Sequence, residues 1–348
     1  MHSERSIPSP GRLLDLVDGF AGRRVPMLVD LVADRFLHGS PKRISREAPV
    51  LILRYEGERT APGGGANAAA NVAALGGVPL PVGVVGDDAS GDQLLLSLAE
   101  RGIATEGILR RPGYPTPTKT RILAGGKHSI KQQIVRIDVE KTESPTPSEF
   151  AELGRLLEQA AQGTRVAIVS DYGYGAVDPG LVPRLRSAIG SAGVILCDSR
   201  YRLRDFGGVD AATPNEEEAE QVLGGALAED LEVAFGQGRD LRTRLGARFL
   251  LVTRGSRGMN LFLADQAVAI PVSGTDQVAD VTGAGDTVIG TFALALAAGA
   301  HPIEAALLAN YAGGIVVMKL GTATLDANEL RHAIGSDPGP REQLRWAR

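Results

Sequence analysis

Short apolar runs alternate with longer stretches whose apolar residues recur at helical spacing along most of the 348-residue chain. The runs have the length of buried strands, and two of them stop abruptly at Gly-Asp or Ser-Asp. They cover residues 25–32, 79–85, 165–170, 194–198, 249–253 and 258–262. Runs of this kind are typical of a parallel sheet that is buried on both faces.

Helices are predicted between these strands, because the intervening stretches have apolar residues three and four positions apart. The predicted helices cover residues 66–75, 91–101, 148–162, 179–191 and 216–223. Alternating strands and helices imply right-handed βαβ crossovers. The predicted fold is therefore an α/β fold with an open, mostly parallel sheet flanked by helices.

Two segments, 49–59 and 118–140, break this alternation. Both are rich in Val, Ile, Thr and alternating charge without a helical period, which is typical of antiparallel strands outside the main sheet. We expect them to form a small β flap, or lid, beside a substrate cleft. The main domain is then expected at 25–335, after an N-terminal extension at 1–24 that includes a short helix and before a C-terminal tail at 336–348.

Composition narrows the classes of function. The net charge is -4, so no basic excess exists to attract nucleic acid or an anionic membrane, and small-molecule chemistry is favoured. The single cysteine, Cys197, cannot form an intrachain disulfide, which fits a reducing compartment. The N-terminus lacks the features of a signal peptide, and no apolar run approaches membrane-spanning length. A cytoplasmic location is expected.

The strongest local motif is Asp-Val-Thr-Gly-Ala-Gly-Asp at 280–286, followed by an apolar helical run at 288–298. Its small residues are Gly283, Ala284 and Gly285. They allow backbone N–H groups to converge at a helix N-terminus, where the helix dipole favours an anion. Asp286 lies where a catalytic base could accept a hydroxyl proton while this cradle stabilises a transferred phosphoryl group. A carboxylate in a first turn can also simply cap the helix.

A second glycine-rich motif, Gly-Gly-Gly-Ala-Asn at 63–67, opens the predicted helix at 66–75. Its glycines permit close backbone approach to a ligand, and Asn67 offers a donor and an acceptor to a pair of hydroxyls. The spacing does not match a dinucleotide fingerprint, and no P-loop motif occurs. A nucleotide would therefore be held in another way. The histidines and the cysteine are too scattered to suggest a zinc site.

On these two motifs, and on Asn-Glu-Glu-Glu at 215–218, the chain resembles the pfkB, or ribokinase-like, family of carbohydrate kinases from about residue 25 to residue 330. The resemblance implies a ribokinase-like fold and ATP-dependent phosphorylation of a sugar with Mg²⁺. It also implies a possible dependence on a monovalent cation and a possible homodimer through the flap.

The resemblance also implies roles for single residues. Sugar contacts are expected from Asp34, Gly64, Gly65 and Asn67, and ATP contacts from Asn215, Thr253, Gly255, Gly258 and Asn310. Glu218 is expected to act on Mg²⁺ through water. Four of these residues also have a plainer interpretation. Asp34 could be a turn residue, Asn67 a helix-end residue, Glu218 part of a solvated acidic face and Asn310 a polar helix residue.

Within the family the chain is similar to the subgroup that phosphorylates D-glycero-D-manno-heptose 7-phosphate at O1 in ADP-heptose biosynthesis. The similar segments are 42–49, 117–121, 133–138 and 170–172. Lys119, Arg121 and Arg136 lie on the predicted flap, where they could clamp a sugar phosphate. The alternative is that they are surface charges of the flap.

Three departures from the subgroup surround the substrate region. The chain has Asp-Ser-Arg-Tyr at 198–201 in place of Asp-Pro-Lys-Gly, Tyr174 in place of a lysine, and Leu-Val-Asp at 28–30 where Gly-Asp is usual. A kinase for another sugar, sugar phosphate or nucleoside stays open, as does a non-catalytic sugar- or nucleotide-binding regulator on the same fold. The presence of Asp286, Asn215 and Glu218 argues against the regulator, because binding alone does not require a base.

Overall fold

A computed structural model of the protein describes residues 7–126, 131–274 and 278–347. Within these residues the helices are α1 (Pro10–Asp18), α2 (Gly65–Ala74), α3 (Ala89–Ala99), α4 (Pro147–Ala161), α5 (Val182–Ile189), α6 (Glu216–Leu223), α7 (Leu231–Leu245), α8 (Ala284–Ala297), α9 (Pro302–Val316), α10 (Ala327–Ser336) and α11 (Gly339–Glu342). The strands are β1 (Arg24–Val29), β2 (Leu31–Ile44), β3 (Leu51–Gly64), β4 (Val78–Gly86), β5 (Ile108–Arg111), β6 (Thr118–Ala124), β7 (Gln132–Val139), β8 (Val166–Asp171), β9 (Val194–Ser199), β10 (Ala211–Ala212), β11 (Phe249–Thr253), β12 (Met259–Phe262), β13 (Ala267–Ile270) and β14 (Arg345–Ala347).

The main sheet has the strand order β14-β13-β12-β11-β10-β9-β8-β1-β4-β5. From β5 to β11 every neighbouring pair is parallel, and the last three strands continue the sheet antiparallel. The α/β prediction is therefore confirmed. Because parallel strands end at the same edge, the loops after β1, β8, β9 and β11 meet there, which is where ligands bind in open α/β sheets.

Helices cover both faces of this sheet. One hydrophobic core lies under α1, α2, α8, α9 and α10, and the other lies under α4, α5, α6 and α7. The central strand β8 is buried at all six positions, so its side chains alternate between the two cores. This explains why its sequence is continuously apolar instead of alternating.

The flap is a separate sheet with the strand order β3-β2-β6-β7. The predicted segments contain part of β3 and the whole of β6 and β7, although residues 127–130 lie outside the described residues. The longest addition is β2, which continues almost directly from β1 and pairs with β3 antiparallel and with β6 parallel. Apolar residues resume in β2 directly after Asp30, so the run predicted at 25–32 did not reveal the change of sheet.

The N-terminal boundary differs from the prediction. The helix predicted before residue 25 exists as α1, but Leu13, Leu16 and Phe20 are almost completely buried in the core of the main domain. In α1, Arg12 also forms an ion pair with Glu304 of α9 at 2.9 Å. The described part of the predicted extension is therefore integrated into the domain by its apolar face.

The predicted C-terminal tail differs in the same way. Its last described residues form β14, which pairs antiparallel with β13 and buries Ala347 completely. The sequence did not predict this strand, because the prolines and glycine at 338–340 favour irregular structure. Among the described residues, no helix combines the length and hydropathy needed to span a membrane.

Candidate active site

Asp286 lies in the first turn of α8 at the carboxyl edge of the main sheet, and only 3% of its surface is exposed. The helix begins after Gly283, whose φ of 79° is the left-handed conformation that favours glycine. The prediction that Gly283–Asp286 forms a helix N-terminus agrees with this geometry. The free N–H groups of such a turn can bind an anion.

Both carboxylate oxygens of Asp286 accept a hydrogen bond from another element. Asn67 Nδ2, from α2, donates to Oδ2 at 3.0 Å, and the Tyr172 hydroxyl, from the loop after β8, donates to Oδ1 at 2.7 Å. Burial raises the pKa of Asp286 to about 7, although these two donors oppose the shift. The carboxylate is therefore fixed in orientation and has the pKa of a base that works near neutral pH.

The glycines at 63–65 allow the start of α2 to pack closely against β1 and β2. A Cβ on Gly63 would lie 2.7 Å from Asp34 Oδ2, and a Cβ on Gly65 would lie 2.4 Å from Val29 Cβ. Gly64, with φ of 55°, would place a Cβ 3.3 Å from the Tyr172 ring. These glycines permit close packing within the protein, and through it they place Asn67 beside Asp286.

The flap brings Asp34 and two cations to the same region. Asp34 is 3% exposed and forms an ion pair with Arg121 at 2.5 Å, while the Lys119 ammonium lies 5.6 Å from the centre of the Tyr172 ring. Burial raises the pKa of Asp34 and Arg121 opposes this shift. The charges of Asp34 and Lys119 also act on the pKa of Asp286. The predicted sugar contacts Asp34 and Asn67 therefore lie close to Asp286.

A polar cavity of about 590 Å³ adjoins the start of α8. It is lined by Asp171, Tyr172, Asp198, Arg200, Tyr201, Thr213, Asn215, Glu217, Glu218, Gln221, Thr253, Val281 and Gly285. Burial raises the pKa of Asp198, and the neighbouring Glu218 and Asp286 raise it further. Carboxylates around one cavity suit a divalent cation that is held through water and phosphate. Among the described residues, no group of three or more acidic, histidine or cysteine side chains is arranged to hold a metal ion by itself.

Asn215 and Glu218 also have a structural role. The Asn215 side chain accepts from the Glu218 backbone N–H at 2.9 Å, and the Glu218 side chain accepts from the Asn215 N–H at 2.9 Å. This capping box begins α6 and fixes the side chain of Glu218, which also lines the polar cavity. Glu218 is half-buried, and this burial raises the pKa of its carboxyl group.

A smaller, largely apolar cavity of about 200 Å³ continues from the polar one. The structure brings four predicted ATP residues to it, namely Thr253, Gly255, Gly258 and Asn310, together with Val278, Val281 and Gly285. Asn310 is 2% exposed, and its Nδ2 donates to the Pro271 carbonyl at 2.8 Å. Its amide therefore holds the backbone of the segment that follows β13. An apolar cavity beside a helix N-terminus combines apolar surface with backbone donors that can bind an anion.

A third cavity of about 330 Å³ lies between the flap and the segment at 320–321. Its charged lining includes Arg59, Arg121, Lys131 and Asp280. Arg136, which pairs across the strands with Arg121, does not line it and instead donates to Asp138 at 2.9 Å with half of its side chain exposed. Arg59 was missed at the sequence level, because only the β2–β3 register opposes it to Phe36. Its guanidinium lies 4.5 Å from the centre of the Phe36 ring.

The model of the pfkB family carbohydrate kinases matches residues 39–329. The chain belongs to this family. The kinase is 40% identical over 335 residues to the bifunctional protein HldE of Mesorhizobium japonicum, a match that covers 96% of this chain and 66% of that protein. It is 42% identical over 323 residues to HldE of Azotobacter vinelandii, covering 91% of this chain and 65% of that protein. The kinase thus spans about two thirds of the length of these relatives.

Solved structures support the fold assignment. The kinase matches phosphofructokinase-2 from Escherichia coli in complex with potassium with a TM-score of 0.70 at 19% identity, covering 90% of this chain and 98% of that chain. Ribokinase from Arabidopsis thaliana, complexed with ribose and ATP, gives a TM-score of 0.67 at 19% identity, covering 90% and 99%. The ribokinase-like fold expected from the motifs is therefore confirmed.

Proposed function

We propose that the protein transfers the γ-phosphoryl group of ATP to O1 of D-glycero-D-manno-heptose 7-phosphate, giving the 1,7-bisphosphate. The observation that carries this proposal is the position of Asp286, a buried carboxylate that accepts a hydrogen bond from Asn67 and another from Tyr172, which lines the polar cavity. A hydroxyl held beside Asp34 and Asn67 would face a phosphate held in the cavity. The HldE relatives and the heptose-kinase segments favour this sugar over others in the family.

In the proposed mechanism, Asp286 accepts the proton of the attacking hydroxyl, and the N–H groups of 283–286 stabilise negative charge on the transferred phosphoryl group. Asp34 and Asn67 orient the sugar. Glu218, and Asp198 beside it, fit a site for Mg²⁺ held through water, and the metal would neutralise phosphate charge. The apolar cavity would hold the adenine next to Thr253, Gly255 and Gly258.

We propose that the phosphate at C7 binds in the flap cavity, between Arg59 and Arg121. Both guanidinium groups lie close to the Phe36 ring, at 4.5 and 5.4 Å from its centre, so they converge on one face of the flap. Arg121 also reaches Asp34, which would link recognition of the phosphate to recognition of the sugar hydroxyls. Lys119 faces Tyr172 and the base, so we assign it to the reacting end of the substrate.

Two further features of the family are proposed for this chain. A monovalent cation would fit near Asp280, although both of its oxygens already accept backbone N–H groups, from Thr282 and from Gly321. A homodimer through the flap is supported by exposed apolar residues on β7, including Ile134 and Ile137. We also expect the kinase to act in the cytoplasm, where ATP is available.

The test is a coupled assay of ADP release with heptose 7-phosphate, unphosphorylated heptose, fructose 6-phosphate, ribose and a nucleoside. We expect the highest kcat/KM with heptose 7-phosphate. A preference for an unphosphorylated sugar or a nucleoside would reject the proposed substrate and leave a pfkB-type kinase. Binding of ATP and sugar with no turnover on any of them would favour the non-catalytic regulator.

Arg59→Ala tests the phosphate subsite without disturbing the Asp34–Arg121 pair. We expect KM for heptose 7-phosphate to rise about tenfold, because one charge-assisted hydrogen bond to phosphate is lost, while KM for ATP stays unchanged. Arg136→Ala is the matched control on the same sheet and should change KM less than about twofold. Equal losses for phosphorylated and free heptose with Arg59→Ala would contradict the subsite.

A further inference from the structure

The loop after β8 carries one side chain that reaches the base. The Tyr172 hydroxyl donates to Asp286 Oδ1 at 2.7 Å, and the opposite oxygen is held by Asn67 at 3.0 Å. Burial and the adjacent Asp286 carboxylate raise the pKa of Tyr172 well above its ordinary value. The phenol therefore remains a neutral donor at any pH at which the enzyme works.

A single buried carboxylate, that of Asp30, holds the backbone of the loop after β8. Asp30, which follows β1 and is 1% exposed, accepts from the N–H groups of Tyr172 at 2.9 Å, Tyr174 at 3.0 Å and Ala176 at 3.1 Å. Three backbone donors on one acid leave the loop little freedom to move. The segment at 28–30 differs from the heptose-kinase pattern, yet it keeps the aspartate that holds this loop.

The Tyr172 ring is confined on two further sides. Gly64 lacks the Cβ that would lie 3.3 Å from Tyr172 Cδ2, and the Lys119 ammonium of the flap lies 5.6 Å from the ring centre. The ring thus lies close to the glycine turn before α2 and to Lys119 of the flap, while its hydroxyl contacts Asp286. A side chain held at its backbone, ring and hydroxyl can orient a partner with little loss of entropy.

We propose that Tyr172 is a positioning residue for Asp286, which orients the carboxylate and favours its ionised form, so that the remaining lone pairs of Oδ1 and Oδ2 point to the acceptor hydroxyl. A hydrogen bond donated to a carboxylate stabilises the charged form and so favours a competent base against the effect of burial. Tyr172 also lines the polar cavity, but in this role it acts through Asp286 and not directly on the substrate. The inference rests on the proposed role of Asp286 as base, and it is independent of which sugar is the acceptor.

Tyr172→Phe tests the proposal, with Tyr174→Phe as the matched control. Tyr174 lies two residues further along the same loop and donates to Glu140 at 2.8 Å instead of to the base. In Tyr172→Phe we expect the acid limb of the kcat/KM profile to move to higher pH by about one unit, and kcat on the plateau to fall about tenfold. The acid limb of the kcat/KM profile of Tyr174→Phe should coincide with that of the wild type.

Site-specific replacement of Tyr172 by 3-fluorotyrosine provides a shift of opposite sign. Fluorine makes the phenol a stronger donor, so the acid limb should move to lower pH, which damage to the loop would not produce. Coincident acid limbs for wild type and Tyr172→Phe, or equal shifts in the two phenylalanine variants, would overturn the proposal. Failure of the base assignment itself would appear separately, as substantial turnover by Asp286→Asn.

Discussion

The two glycine-rich turns that begin α2 and α8 look alike in sequence but need glycine for different reasons. In the first turn, a Cβ on Gly65 would lie 2.4 Å from Val29 Cβ and 3.1 Å from the Asp30 carbonyl. In the second, a Cβ on Gly285 would meet no described atom within 4 Å, and Gly285 lines both the polar and the apolar cavity. The first turn is shaped by packing within the protein. The second is open at Gly285, although a Cβ on Gly283 would lie 2.4 Å from Asn67 Nδ2.

The largest effect should come from the base that the open turn carries. Asp286→Asn removes the proton acceptor but keeps the size of the side chain, so we expect kcat to fall by about 10²–10⁴-fold with ATP affinity retained. Steady-state kinetics and ATP titration measure both. Turnover within about tenfold of the wild type would remove Asp286 from the role of base.

The same variant has a predicted effect on stability. The folded pKa of Asp286, about 7, lies above the value of an unfolded aspartate, so its ionisation costs stability as the pH rises from about 4 to about 7. The amide that replaces the carboxylate in Asp286→Asn cannot ionise. The melting temperature of this variant should therefore equal or exceed that of the wild type at about pH 8, which a thermal-shift measurement can check.

A matched pair of alanine substitutions tests the comparison of the turns directly. Gly65→Ala should destabilise the protein by about 1–3 kcal/mol through overpacking against Val29. Gly285→Ala should leave the melting temperature nearly unchanged and raise KM for ATP about tenfold, because its methyl group enters space meant for phosphate. The comparison fails if Gly285→Ala is the more destabilising of the two, or if Gly65→Ala changes only KM.

The smallest effect is expected at the edge of the polar cavity. Glu218→Gln keeps an oxygen that can accept from Asn215, so α6 should stay capped while one charge near the metal is lost. The Mg²⁺ concentration for half-maximal activity should rise several-fold. Glu220→Gln is the control on the same helix, where Glu220 accepts from Leu227 at 2.9 Å. Superimposable Mg²⁺ titrations for the wild type and Glu218→Gln would assign Glu218 to capping alone.

Much of the fold was visible in local patterns, because the buried strands are continuously apolar and the helices have a clear period. Helix α6 was predicted with its observed bounds, since Asn215 and Gly224 mark its ends. Pairing between distant segments was not visible. The strand β14 and the burial of α1 depend on partners far away in sequence, β13 and α9–α10, and short local patterns cannot reveal such partners.

In the candidate site, too, some features follow from local motifs and others depend on contacts between distant segments. Asp286 and Asn67 belong to spaced motifs, so their meeting could be anticipated, whereas Arg59 reaches the flap cavity only through the register of β2 and β3. Tyr172 was part of a recognised segment, but its contact with Asp286 depends on the fold of a loop that Asp30 holds. Sequence patterns indicated the reacting groups more readily than the groups that orient them.

The paired donors on Asp286 have a consequence for the cellular use of ATP. A kinase that binds ATP before its sugar faces water as a competing acceptor, and an unguarded base would promote wasteful hydrolysis. Here Asn67 and Tyr172 each engage one carboxylate oxygen of the proposed base, so fewer lone pairs remain for a water that no other group holds. A sugar hydroxyl, fixed by Asp34 and the flap, can compete for the remaining lone pairs because its binding is supported elsewhere. With Asp286 as the proposed base, we expect this arrangement to favour phosphorylation of the sugar over hydrolysis of the nucleotide.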